Sequence, residues 1–498
     1  MAKENGGVIG IINTPTSTTA SGVWALQDQY EAKRNSNWPL TPFVSQYSAR
    51  FNSGSSDYLN RTPASNGNRQ IYTYSTWFKL SKIDTTNYQY LFSAFYGNLS
   101  RYTTINIKNN QVLQFYSGLY STSSTTVSAW FETTQVFRDL SAWYHLVIAV
   151  DTTQATSTNR VKIYLNGSQI TSFSTSTYPS QNDNHFVNYT TTPNYIGQQN
   201  SAEYFNGYMS EVYMIDGQQL TPSSFGASNA SGVWYPIPYT GSYGTNGFNL
   251  KFGNASSLGT DSSPNGNNFT VNNLTSVDQS TDSTLNNFCT LNPLFPQNDN
   301  LTFTNGNLQA TKPSGSGTGS YFANFGVSAG KWYWEMKCNA VGGNDQWIGI
   351  GQMRTLATSG YPGNDTYCVA AGSGGEVRYN GTTVSSYTMA SWTAGDIIMV
   401  ALDMTNSRVY WGKNGTWQDS GDPVTGTNPY TNGTIFDGNF IFPVGSLYQS
   451  NGDVAYNFGA GTTYAANNYA DGNGYGNFSY AVPSGYYALC TANLNTYG

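Results

Sequence analysis

The chain has 498 residues and a net charge of −6, long enough for about three domains whose cores need no covalent staples. Only 10% of residues are charged while aromatics reach 15%, a balance that excludes a disordered chain and favours sheet wetted by hydroxyl and amide groups. The acidic balance leaves no basic stripe for nucleic acid, and no run of about 18 apolar residues is present for membrane insertion.

The Met-Ala-Lys-Glu start lacks the apolar stretch of a secretion signal, so synthesis in a cytoplasm is expected. Cys289, Cys338, Cys368 and Cys490 are too sparse for a disulfide framework and read as buried thiols. His145 and His185 are the only histidines, too few for a histidine metal cluster.

Residues 1–45 stand apart from the rest. An apolar start and a Thr/Ser/Pro turn region lead to Trp24–Arg34, the best helical segment, with Ser21 as N-cap and Trp24 with Tyr30 or Leu26 on one face. So short a helix is marginal alone. It either docks on the next domain or orders against another protein, and on the second reading Trp24 and Tyr30 are its anchoring residues.

From Tyr47 to about Phe225, short alternating apolar runs are separated by Asn, Gly and Ser clusters, as a β-sandwich requires. Ile71–Leu80, Tyr90–Gly97, Tyr144–Asp151 and Arg160–Ile170 read as strands, and Asn166-Gly167 marks a type I′ hairpin. The blocks WYHLVIAVD, VKIYLNG and NYIGQQNSAEYFNGYMSEVYMIDGQQLT resemble, in that order, the laminin-G-like (concanavalin-A-like) jelly-roll family. Trp143, His145, Tyr164, Asn166, Gly167, Ile196, Gly197, Phe205, Gly207, Glu211 and Val212 occupy its pattern positions. The resemblance implies a jelly roll over 46–225, with His145 a satisfied strand histidine.

Residues 226–300 hold short strand candidates without a long apolar pattern and read as an ordered connector. The pentapeptide ASGVW at Ala230–Trp234 repeats Ala20–Trp24. Each copy precedes a sheet domain, so the pair reads as a docking element that buries a tryptophan or as coincidence in a Ser/Gly-rich chain.

The last third, 301–498, contains GKWYWEMK, WIGIG, GDIIMVALDM, RVYWGKNGTW, FPVGSLY and VAYNFG. These six blocks resemble, in order, the strands of a SPRY domain, a bent β-sandwich used for protein binding. The expected fold class is therefore all-β: a jelly roll and a SPRY-like sandwich joined by an ordered connector, after a short N-terminal segment containing one helix.

The whole arrangement, with GVWYPxxYTGSYGTNGF in the connector and GYGNFSYAVPSGYYALCTANL at the end, resembles virion structural proteins of marine tailed bacteriophages. What this implies is a non-enzymatic tail fibre or adhesin on the virion surface, contacting other virion proteins and a host-surface glycan or protein. The alternatives are a head fibre or capsid-decoration protein and, third, a polysaccharide depolymerase. A homo-oligomer is expected, with a trimer favoured by analogy alone, since no sustained heptads occur.

Aromatic rings stack on sugar C–H faces while hydroxyls and amides orient the ring, and Tyr/Ser/Asn loops supply both. Tyr116 and Tyr120 in Phe115–Ser124, Trp130, Tyr178 in Thr177–Asn184, Tyr361 and Trp417 are the candidate ligand-binding residues. A glycosidase needs two carboxylates about 5–9 Å apart. No alternating acidic cluster is present, and Glu203, Glu211 and Asp216 are too irregularly spaced to share one strand face. No catalytic residue and no cofactor is assigned. Calcium in the jelly roll stays open, because no DxDxDG-like loop is present and any site would be assembled across loops.

Overall fold

The computed structural model describes residues 45–498 apart from 97–100, 121–124, 200–201, 230, 296–299, 316, 343–344, 354–359, 433, 462 and 465. Trp24, Tyr30, the helical segment around them and the first ASGVW copy lie outside the described residues.

Two sheets face each other in the N-terminal half. The back sheet runs, in spatial order, Ser168–Gln169, Val161–Leu165, Tyr144–Asp151, Ile71–Leu80, Gly207–Asp216, Ser48–Phe51 and Gln279–Ser280, with Phe248–Leu250 also paired to Gly207–Asp216. The front sheet runs Phe173–Thr177, Thr125–Val136, Val112–Tyr120, Arg101–Ile107, Gln89–Tyr96, Asn194–Ile196, Tyr58–Arg61 and Thr270–Asn272.

Period-two alternation explains the layers. In Ile71–Leu80 the side chains of Tyr72, Tyr74, Phe78 and Leu80 enter the core between the sheets. Thr73, Ser75, Trp77 and Lys79 point the other way and are buried as well, because later parts of the chain cover the back sheet. The front sheet alternates Ile105, Leu113, Phe115, Ala129 and Phe131 into the core and turns Thr104, Asn106, Gln114, Tyr116 and Glu132 to its other face, where they too are largely buried.

The segment read as a connector supplies strands to both sheets. Phe248–Leu250 and Gln279–Ser280 pair into the back sheet and Thr270–Asn272 into the front one. Phe248, Leu250, Phe252, Leu258 and Phe269 belong to the sandwich core. Strands of two or three residues are too short to announce themselves by periodicity.

The second ASGVW copy closes a small hairpin, Gly226–Ser228 with Trp234–Pro236. Trp234 is half-buried and lies on glycine backbone: a Cβ on Gly226 would sit 2.5 Å from its ring and one on Gly167 2.8 Å. Its Nε1–H donates to His145 Nδ1 at 3.0 Å. An indole is a donor only, so Nδ1 is the acceptor and the His145 proton resides on Nε2, which donates to Ser75 Oγ at 2.9 Å. The imidazole is stacked 4.7 Å from Trp77 and 6.0 Å from Trp234, and burial pushes its pKa down to about 3. His145 is thus a satisfied, neutral strand histidine.

The C-terminal half is a second sandwich. One sheet runs Thr302–Thr304, Gln309–Lys312, Gly452–Asn457, Lys331–Ala340, Ile397–Asp403, Arg408–Lys413 and Thr416–Trp417, with Tyr487–Ala488 parallel to Lys331–Ala340. The other runs Thr318–Phe322, Phe442–Tyr448, Gln346–Gly351, Cys368–Gly372, Val377–Tyr379 and Thr382–Thr383. Every apolar block of the sequence pattern is a strand here. The last 40 residues fold over the first of these sheets, where Phe478, Tyr486 and Ala488 pack on Tyr333, Met399 and Tyr410. Buried Glu335 fastens them: its carboxylate accepts the Ser479 and Tyr480 backbone N–H groups, each at 2.9 Å, and the Tyr333 hydroxyl at 2.9 Å.

The fold class is all-β. The one α-helix among the described residues is Thr491–Tyr497, where the sequence reading places none. It has no side-chain cap and seven residues, so no local signal marks it. All four cysteines are free and buried.

Candidate functional site

The outer face of the front sheet brings aromatic and amide side chains together in register. Tyr116 faces Trp130 on one neighbouring strand and Thr104 on the other, and Thr104 faces Ser93, which faces Tyr195. One step along, Gln114 faces Glu132 and Asn106, and Asn106 faces Tyr90. Direct partners share a sheet face, so these residues form two adjacent rows across the strands.

The rings are arranged edge to face and tilted. Tyr116 lies 6.0 Å from Trp130 at 69° and 5.1 Å from Tyr102 at 31°. Tyr58 continues the array at 6.1 Å from Tyr195 and 6.3 Å from Tyr204. From the Trp130 strand to the Tyr58 strand there are five strand spacings, about 24 Å. That is the length of a short oligosaccharide or peptide rather than of a single small molecule.

Glu132 organises the polar row. Its Oε1 accepts from Lys108 Nζ at 2.7 Å, Gln114 Nε2 at 2.9 Å and Trp130 Nε1 at 3.0 Å. Burial raises the carboxyl pKa, but the hydrogen bonds from Lys108 and Trp130 outweigh it and hold the group below the usual carboxylate range. The indole of Trp130 is thereby fixed in orientation, and the ammonium of Lys108 lies 5.7 Å from the Tyr88 ring. Asn106, wholly buried, finds no partner for either amide atom among the described residues. Such a group costs about 1–3 kcal/mol unless a water or a ligand hydroxyl reaches it.

Glu132 is held ionised by its donors, and Glu203, on the separate Glu203–Tyr204 strand, accepts from the Tyr88 backbone N–H at 3.2 Å. Tyr88 precedes the Gln89–Tyr96 strand, three strand spacings from that of Glu132, about 14 Å between strand axes. Glu211 and Asp216 lie in the back sheet, Glu211 accepting from the Tyr213 hydroxyl at 2.7 Å and Asp216 from the Asn68 backbone N–H at 2.7 Å. No cluster of three or more His, Cys, Asp or Glu groups suited to a metal occurs among the described residues.

The structure brings Tyr116 and Trp130 together and separates the other sequence candidates. Phe115–Ser124 and the Trp130 segment were expected to be loops; Val112–Tyr120 and Thr125–Val136 are strands, with Phe115 and Phe131 in the core and polar residues on the outer face. Tyr120 ends its strand opposite Thr125. Tyr178 packs edge-on against the core ring of Phe131 at 4.9 Å. In the second sandwich Tyr361 stacks on Trp347 at 4.9 Å and 18°, with Arg378 over both rings. Trp417 is half-buried against Tyr333 at 6.4 Å. The residues that reading by loops missed are Tyr102, Asn106, Lys108, Gln114 and Glu132. Their signal was the polar alternation of RYTTINIK and of QFY, legible once both segments are taken as strands.

Two family profiles match the sequence: the concanavalin A-like lectin/glucanases superfamily, in its laminin-G form, over residues 53–224, and the SPRY domain over residues 331–460. No curated protein matches the chain. Among solved structures, the SPRY domain of human HERC1 is 21% identical, covering 35% of this chain and 99% of its own, with a TM-score of 0.27. A heptameric SAP-like pentraxin from Limulus polyphemus is 18% identical over 36% of this chain and 80% of its own, with a TM-score of 0.26. The chain thus carries a laminin-G-type, concanavalin A-like domain followed by a SPRY domain.

Proposed function

We propose that the chain is a non-enzymatic binding protein whose jelly-roll front face holds an extended, neutral glycan. The observation that carries this reading is the register-aligned row of Trp130, Tyr116 and Tyr195 beside the amide and carboxylate row of Gln114, Glu132 and Asn106. Half-buried Trp130 and Tyr195 offer flat apolar area to sugar C–H faces, and Glu132, buried beside them, orients the Trp130 indole. Lys108 and Glu132 offset each other's charge on this face. The residue pattern that resembles phage virion proteins supports placing such a protein on a particle as a tail fibre, with a head fibre or decoration protein as the alternative setting. The test of the binding reading is an array of linear oligosaccharides probed with the full chain. Retention of neutral chains of several sugars, lost in Trp130→Ala, is expected. Equal retention by Trp130→Ala would move the site elsewhere.

A further inference from the structure

A second constellation, unrelated to the front face, sits where the two halves of the chain meet. Lys79, at the end of a back-sheet strand, points away from the core and is 1% exposed. Its Nζ contacts Asp282 Oδ2 and donates to Asn287 Oδ1 at 2.8 Å. Asp282 is also 1% exposed, with its other oxygen accepting from Trp143 Nε1 at 3.0 Å. Two rings enclose the ammonium, Tyr208 at 4.8 Å and Trp143 at 5.7 Å. The Asn287 amide nitrogen is held in turn by the Ser141 carbonyl at 2.6 Å.

A buried lysine beside a carboxylate is expensive to keep charged, since removing both ions from water costs more than their attraction returns in many proteins. Burial raises the Asp282 pKa, although Lys79 pulls it down, so the carboxyl is suited to hold a proton taken from the amine. What distinguishes this cluster from an ordinary buried ion pair is the third member. The amine lies against a carboxamide, an acyl group it can attack, with an acid–base group touching the same nitrogen.

The geometry points to an intramolecular Lys79–Asn287 isopeptide bond, formed without any cofactor, that ties the jelly roll to the segment leading into the SPRY half. Asp282 takes a proton from Lys79, and the neutral Nζ attacks Cγ of Asn287. The Cγ–Nδ2 bond breaks as Asp282 passes that proton to the leaving nitrogen, which departs as ammonia with one hydrogen from Nζ beyond its own two, and the attacking nitrogen gives its surplus proton to the Asp282 carboxylate, which ends protonated. A Nζ–Cγ amide replaces the Cγ–Nδ2 amide, and nothing is oxidised or reduced. Positioning replaces activation: the fold holds amine and amide in contact although 208 residues separate them.

The experiment is the intact mass of the denatured full chain, followed by peptide mapping. The expected result is a mass about 17 Da below that of the sequence, one ammonia, with Lys79 and Asn287 recovered in one joined peptide pair. Asn287→Ala and Asp282→Ala should return the sequence mass; since each removes a buried partner and can impair folding, the wild-type mass and map decide by themselves. An unshifted wild-type mass overturns the bond. So does a deficit of about 18 Da, which would make Asp282 the acyl partner with loss of water, and so does a 17 Da deficit without a joined pair, which would be a cyclised asparagine.

Discussion

At the scale of single residues, two features make separable predictions. Trp130 is oriented by the Glu132 carboxylate and half-buried, so its removal should cost binding more than folding. Trp130→Ala is expected to weaken glycan binding by about 2 kcal/mol, the scale of an interface hot spot, roughly thirtyfold in Kd, measured by calorimetric titration. Its unfolding midpoint should move by only a few degrees. The histidines report on folding instead. His145 and His185 are buried and neutral, with pKa values pushed by burial to about 3 and about 4 from 6.5. Between those values and 6.5 the unfolded chain binds protons that the folded chain refuses, so each histidine lowers stability as pH falls from 6.5, by at most about 1.4 kcal/mol per pH unit. Glu211 and Asp57, whose carboxyls burial raises to about 7 and about 6, act in the opposite sense over the same window. Urea unfolding of the unaltered chain and of His145→Gln at pH 7 and pH 5 isolates the histidine: the variant should lose less stability, or gain more, between the two pH values than the unaltered chain.

At the scale of elements, the Trp234 hairpin and the C-terminal extension show how covers hold a sheet. Trp234→Ala leaves His145 Nδ1 without its donor and uncovers the imidazole ring, so a loss of about 2–4 kcal/mol is expected by thermal unfolding. Glu335→Ala removes the acceptor of two backbone N–H groups in the extension. Cleavage between 464 and 490 should then appear in limited proteolysis, where the unaltered chain resists.

Long elements were legible in the sequence. IYTYSTWFKL and YHLVIAVD have the bounds expected of them, because eight or ten alternating residues carry their own pattern. Asn166-Gly167 closes its hairpin with φ of 47° and 83°, the left-handed pair that a type I′ turn demands. The two-residue and three-residue strands of 226–280 were not legible: they are too short to carry a period, and Thr270–Asn272 and Gln279–Ser280 pair with strands more than two hundred residues back. The candidate face was half legible for the same reason: Tyr116 and Trp130 stood out by type, but only the register shows that Gln114 and Glu132 stand beside them.

At the scale of the whole molecule, the two sandwiches meet through specific contacts rather than through a loose tether. Tyr208 donates to the Gly306 carbonyl at 2.9 Å, Ser280 to that of Ala460 at 2.9 Å, and Asn52 to Asn305 at 3.0 Å, alongside the Lys79 cluster. Shared burial of this kind couples the unfolding of neighbouring domains. Differential scanning calorimetry of the full chain is therefore expected to give one transition; two well-separated peaks would mean that the halves unfold independently.

The claim on which the functional account rests is that the outer face of the front sheet binds an extended neutral glycan. The most direct measurement is a titration of the full chain, unaltered and as Trp130→Ala/Tyr116→Ala, with a linear neutral oligosaccharide retained on the array, alongside its monosaccharide. The account predicts binding of the oligosaccharide, little of the monosaccharide, and loss of the oligosaccharide in a double variant whose circular dichroism is unchanged. Undiminished binding by that folded variant would contradict it.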